Sequence, residues 1–196
     1  EALMVWKGGM AFHGGSLGVG AAGPWLCRRH AVPPLQLADA LALAVTPGLF
    51  LGRIANFINA ELWGRPTDLP WGMIFPGEAA QTCAGIAPGT CARHPSQLYE
   101  AGLEGLVLGL VLLFLLRRGA LKSAGRITGA FLIGYGLARG FVELFRVADA
   151  QYITPDNPLG HVIGSAAIGL SMGQVLSLPM IAAGVWLLLR SRRSAA

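Results

Sequence analysis

Charge is scarce in this sequence. Only 13% of its 196 residues are charged, while 54% are hydrophobic and the mean hydropathy is +0.56. A soluble domain carries about 25% charged residues. That deficit, with several apolar runs of about 20 residues, argues against an ordinary soluble domain and for a membrane protein. Cysteine is also scarce. Cys27, Cys83 and Cys91 form no CxxC pair, which argues against zinc or thiol redox chemistry. No cluster of metal-ligand type and no Ser/His/Asp order stands out, so neither a metal nor a cofactor is expected. Gly8-Gly9 and Gly14-Gly15 follow no strand and are not a nucleotide loop. The opening stretch Val5-Trp6-Lys7-Gly8-Gly9 has no charged leader, so no signal peptide is expected. A first residue Glu1 in place of Met fits a piece of a longer protein. The net charge of +5 does not point to nucleic acid, because the basic residues cluster between apolar runs instead of lying along one face.

What is present reads as an all-α polytopic membrane protein forming one transmembrane domain over 1–196. Five apolar segments are expected, at about 10–26, 35–58, 97–116, 127–147 and 173–189. Glycines 14, 15, 18 and 20 suit close helix approach in the first, and Gly23-Pro24 should kink its end. Ser96 is placed to cap the third. Two long loops, about 59–95 and 148–172, hold most of the prolines, and short strands or interfacial turns are expected in the first. Basic clusters follow segment one (Arg28, Arg29, His30), segment three (Arg117, Arg118, Lys122) and segment five (Arg190, Arg192, Arg193). These are alternate chain ends. The positive-inside rule therefore puts all three clusters in the cytoplasm and both long loops outside. Cys83 and Cys91 then share an outer loop, where either a disulfide or two free thiols fit.

That topology brings the costly polar residues to one side. The stretch Gly52 to Arg65 packs Arg53, Asn56, Asn59, Glu61 and Arg65 against an apolar run. An arginine deep in hydrocarbon costs about 2.5–3.5 kcal/mol on insertion scales, so such groups face a protein interior or an aqueous cavity and carry a function. Tyr135, Arg139, Glu143 and Arg146 follow at spacings of four, four and three, which places them on one helix face. Glu143 can sit between two arginines, and a guanidinium fork suits two phosphate oxygens. His13, Arg93, His94 and Glu100 fall at the same outer side. The residues by themselves point to gripping a lipid phosphate. A structural ion pair at Arg139–Glu143, a snorkelling Arg53 and a merely packed His13 are the bland readings.

Several of these blocks resemble one family in order along nearly the whole chain. Gly-Arg-x-Ala-Asn-Phe-x-Asn-x-Glu-x-x-Gly at Gly52–Gly64 is similar to the signature of bacterial prolipoprotein diacylglyceryl transferases. Phe12-His13-Gly14-Gly15, Arg93 to Glu100, Gly134-Tyr135-Gly136 with Arg139 and Glu143, and Ser171-Met172-Gly173-Gln174 agree with it. The resemblance implies a multi-pass enzyme of the bacterial inner membrane, with seven helices at full length of which the first two are absent here. It implies transfer of a diacylglyceryl group from phosphatidylglycerol to the lipobox cysteine of a preprolipoprotein, with the active site toward the outer leaflet and among membrane lipids. It carries His13, Arg53, Asn56, Glu61, Gly64, Tyr135, Arg139, Glu143 and Arg146 across as functional residues. Asn59 and His94 join them as headgroup neighbours. Asp39 ranks lower because it falls nearer the inner end. His13 would be the general base toward the substrate thiol, with Arg53 and Arg139 stabilising the phosphate that leaves. The competing reading of the same intramembrane charges is a non-catalytic lipid or solute transporter. It would bring an internal repeat with matched helix breaks, and none is found.

Overall fold

A computed structural model describes residues 12–83, 86–87, 89–165 and 168–193. Helix α1 (Phe12–His30) runs through Pro24 to its basic end. Helix α2 (Pro34–Ile58) starts on a proline, which suits a first turn that needs no N–H donor. A continuous helix at Ser96–Arg117 follows. It consists of α4 (Ser96–Glu100), a widened π-helical stretch (Ala101–Val107) and α5 (Leu108–Arg117), after the short helix α3 (Glu78–Gln81) in the preceding loop. Helices α6 (Arg126–Val142) and α7 (Met172–Arg193) complete the set. Among the described residues, three helices are long and apolar enough to cross a membrane: Pro34–Ile58, Ser96–Arg117 and Met172–Ser191. The sequence predicted five crossings. α6 ends at Val142, not near residue 147, because the chain turns at Glu143 and pairs with another segment. Its 17 residues lie at the lower limit of length for a crossing.

The long loops carry the expected short strands. β1 (Met73–Ile74) pairs antiparallel with β2 (Ala92–Arg93), and β3 (Ile163–Gly164) with β4 (Gly169–Leu170). Cys83 and Cys91 are joined in a disulfide, with Cα atoms 6.2 Å apart, and Cys27 is a free buried thiol. Ser96 does not cap its helix. It is the first helical residue, and its hydroxyl donates instead to the Leu62 carbonyl (3.1 Å), tying the loop to the helix start.

Ala42, Leu108, Leu112, Ala120 and Ile127 form the buried core where α2, α5 and α6 meet, flanked by Phe131 and Tyr135. α6 and α7 approach at their backbones. A methyl group on Gly184 would stand 2.7 Å from the Gly129 carbonyl oxygen, so only glycine allows this crossing. Asp39 has a structural task. It is fully buried, and its carboxylate accepts from Gly125 N (2.8 Å), Thr128 N (2.7 Å) and the Thr128 hydroxyl (2.6 Å). It thus caps the N-terminus of α6 from a neighbouring helix. This explains an acidic residue at that depth without giving it any part in a site at the other end of α2.

Candidate active site: three arginines around one buried glutamate

The signature stretch leaves α2 through a tight C-terminal motif. Glu61 N–H bonds to the Asn56 carbonyl (2.9 Å) and Ala60 N–H to the Phe57 carbonyl (3.1 Å), with Ala60 in the left-handed region at φ 54°. A non-glycine residue there costs about 1–2 kcal/mol. Ala60→Gly is therefore expected to raise stability by about 1 kcal/mol, read as a higher thermal midpoint in detergent. Leu62, at φ 56°, is strained in the same way.

Beyond this bend the chain becomes a central extended segment. Gly64 N donates to the His94 carbonyl (2.9 Å), Arg65 N to the Phe145 carbonyl (2.8 Å), and His94 N to the Arg65 carbonyl (3.0 Å). Gly64 bridges Arg146, and Pro66 bridges Arg93. A side chain on Gly64 would stand 2.8 Å from both Cβ and O of His94, so the glycine is required by the three-way backbone junction. This junction draws Arg146 out of α6. The sequence placed Arg146 on the helix face with Tyr135, Arg139 and Glu143. Instead it lies past the helix end, with its carbonyl held by Arg65 Nε (2.6 Å). Arg93 is spent on the same scaffold. It donates to the carbonyls of Ala80, Gly64 and Thr82 and stacks 4.2 Å from the Trp63 ring, and burial lowers its pKa.

The displaced Arg146 reaches the centre of the site, which is Glu100. Glu100 is fully buried at the site end of α4. Arg53 Nε approaches its Oε2 at 2.6 Å, Arg139 Nη1 approaches its Oε1 at 3.1 Å, and Arg146 Nη1 pairs with Oε1 as well. Glu143 forms a second bridge, 3.0 Å from Arg139 Nη2 and 3.6 Å from Arg146 Nε. Opposite it stands Gly173 of α7, where a methyl group would fall 2.6 Å from Glu143 Oε2. Three guanidinium groups, from α2, α6 and the turn after α6, thus converge on two carboxylates. Charge-assisted pairs of this kind are short and directional.

Donor capacity separates the arginines. Arg139 already uses both terminal nitrogens on carboxylates. Arg53 uses only Nε, and its two terminal nitrogens pair with nothing among the described residues. Arg53 also lines an open cleft of ≈ 230 Å³ with Gly48, Leu49, Gly52 and Asn56. Tyr135 stacks on Phe131 at 5.6 Å and faces the cluster from α6.

Other expected residues lie elsewhere. Asn59 and Glu61 are exposed, and Glu61 contributes its backbone carbonyl, which accepts from Gln97 Nε2 (2.6 Å). His94 belongs to a separate chain in which Trp71 Nε1 donates to Tyr99 OH (2.9 Å), itself 3.1 Å from His94 Nδ1. Burial lowers the His94 pKa, so the ring is neutral at pH 7. His13 lies in the first turn of α1, and its side chain falls outside the described residues.

In the sequence Glu100 stands out only by its outer-side position and its place in the Arg93–Glu100 block, and nothing there but their spacing marks Gln97 and Glu104 as its neighbours. Gln97, Glu100 and Glu104 are all fully buried and recur at spacings of three and four. That polar stripe in an apolar helix was the available signal.

A sequence profile described as prolipoprotein diacylglyceryl transferase matches residues 1–190. Curated relatives named phosphatidylglycerol–prolipoprotein diacylglyceryl transferase agree with it. One from Ruegeria pomeroyi is 64% identical over 98% of this chain and 65% of its own length. One from Roseobacter denitrificans is 61% identical over 100% and 66%, and one from Rhizobium leguminosarum is 53% identical over 100% and 63%. The chain thus spans just under two thirds of the length of these relatives. With the profile covering nearly every residue and relatives more than 60% identical over 98–100% of it, the chain belongs to the prolipoprotein diacylglyceryl transferase family.

Proposed function

We propose that this chain carries the site at which the diacylglyceryl group of phosphatidylglycerol passes to the lipobox cysteine of a preprolipoprotein. The observation that carries this reading is the sharing of Glu100 by Arg53 and Arg139. Arg53 grips the carboxylate that Arg139 also grips, and it lines the open cleft beside Asn56, so a phosphate bound there lies next to the arginine cluster. The substrate thiol, with a pKa of about 8.5, must lose its proton to attack. Its sulfur forms a bond to the terminal glycerol carbon as that carbon's bond to the phosphate oxygen breaks. Glycerol phosphate leaves with the bonding pair, and the thiol proton goes to a base, with His13 as the candidate. Negative charge grows on the leaving phosphate, where Arg53 and Arg139 stabilise it. Asn56 and Tyr135 orient the headgroup, and Glu100, Glu143 and Arg146 hold the arginines in position. Asn59, Glu61 and His94 belong to the surrounding surface that receives the headgroup and peptide.

The orientation follows the same reading. α1 and α6 add two crossings to the three long helices, giving five, with the loops at 59–95 and 148–172 on the outer side of the inner membrane. The Cys83–Cys91 disulfide supports this, since such bonds persist in oxidising compartments. So do Arg28, Arg29, Arg117 and Arg118, which close the ends of α1 and α5 away from the site. The test supplies membranes carrying the protein with phosphatidylglycerol labelled in its acyl chains and a lipobox peptide. Label on the peptide cysteine is expected; label confined to lipid overturns the reading.

A further inference from the structure

Among the described residues, Glu104 is the one acidic residue at the site that no ion pair explains. It lies in the middle of the widened π-helical stretch, one turn beyond Glu100, and is fully buried. Neither of its carboxylate oxygens has a hydrogen-bond partner among the described residues. A buried carboxylate without partners is costly, and π-helical turns inside α-helices concentrate at functional positions. The groups facing it are Glu100 from its own helix, Arg53 from α2, Tyr135 and Arg139 from α6, and Arg146 from the turn after α6.

The charges of the cluster can be counted. Arg53, Arg139 and Arg146 contribute three positive charges, and Glu100, Glu104 and Glu143 three negative ones. With Glu104 ionised the site is neutral. With Glu104 protonated it carries one positive charge. A phosphodiester headgroup carries one negative charge. When it binds to the arginines, it competes for the only groups that make a charged Glu104 tolerable, and it adds a like charge nearby. The cheapest response is for Glu104 to take up a proton.

We propose that Glu104 sets the charge of the arginine site, taking up one proton when an anionic phosphodiester headgroup binds. The empty site is then neutral, and the loaded site matches the headgroup charge for charge. This rests on the reading of the arginine cluster as a headgroup site. Glu104 thereby acts as a specificity-determining residue. Lipids whose headgroup is zwitterionic bring no net charge and trigger no uptake, while monoanionic lipids do. Its lack of both hydrogen-bond and ion-pair partners among the described residues is what leaves Glu104, and not the ion-paired Glu100 or Glu143, to change state.

The test measures binding of short-chain phosphatidylglycerol, and of phosphatidylethanolamine with the same chains, to the reconstituted protein across pH. Proton uptake is read from calorimetry in buffers of different ionisation enthalpy. Wild-type protein is expected to take up close to one proton per phosphatidylglycerol bound at alkaline pH, and progressively less as the pH falls. Its affinity should fall about tenfold per pH unit over the alkaline part of the range, and phosphatidylethanolamine should bind without uptake. Glu104→Gln, permanently neutral, should bind phosphatidylglycerol with no pH slope and keep its preference for the anionic lipid at high pH. A wild-type protein that binds phosphatidylglycerol without uptake, or a Glu104→Gln variant that keeps the slope, overturns the role of Glu104 and leaves the headgroup site standing. No binding of phosphatidylglycerol at any pH overturns the site itself. Should Glu104→Gln not fold, the infrared carbonyl band of a protonated acid decides. Recognised by its shift in heavy water, which the lipid ester carbonyls do not share, it must appear when lipid is added to wild type and move in Glu104→Asp; its absence overturns the proposal.

Discussion

Arg139→Ala is expected to abolish diacylglyceryl transfer in a protein that remains inserted and folded. Removing a single donor that stabilises developing charge lowers turnover by about 10²–10³-fold. Here the loss goes further, because Arg139 also fastens Glu143 to Glu100 through its two terminal nitrogens, at 3.0 and 3.1 Å. The fold survives because Glu100 keeps Arg53 and Arg146. Arg139→Lys is expected to rescue little, since an ammonium cannot span two carboxylates as a planar fork does. The measurement is transfer of labelled acyl groups to a lipobox peptide, normalised to the amount of membrane-inserted protein. Near-normal transfer by Arg139→Ala would remove Arg139 from the chemistry.

Glu100→Leu is expected to fail differently, losing both activity and stability. Three guanidinium groups would lose their shared acceptor, and Glu143 pairs with only two of them. Breaking a buried pair from one side costs about 3–5 kcal/mol, because the abandoned charge stays buried. Thermal unfolding in detergent should show a large drop for Glu100→Leu and a small one for Arg139→Ala. If both variants unfolded at the wild-type midpoint, Glu100 would not be the hub that the geometry makes it.

These contrasts show which parts of the site could be read from sequence. Arg53 and Arg139 stand out because an arginine in an apolar run needs a reason, and both do reach one carboxylate. The start of α2 and the extent of the helix at Ser96–Arg117 follow from hydrophobic length, and both fall close to expectation. The end of α6 does not. Residues 143–147 keep the helical spacing, with Leu144, Phe145 and Val147 apolar, and the tertiary pairing of Phe145 and Arg146 with Arg65 and Gly64 stops the helix. Arg146 therefore reaches Glu100 by leaving the very face on which helical spacing put it. Glu100 and Glu104 were hidden for another reason. Glu100 lies near a helix start, where a glutamate is ordinary; Glu104 extends it into a polar stripe, but the burial of both becomes visible only when α2 and α6 close over them. Asp39 shows the converse: an intramembrane acid that looks functional can be occupied entirely with capping a neighbouring helix. The Cys83–Cys91 bond was one of two options that spacing allowed, and the folded loop selects it.

The bare backbone of Gly173 reaches beyond its own helix. Because α7 presses it against the Glu143 carboxylate, any side chain there would lever that acid away from Arg139. A genetic screen for loss of lipoprotein maturation would therefore score an uncharged substitution on the last helix beside the arginine mutants, though the two positions share neither chemistry nor neighbourhood in the chain.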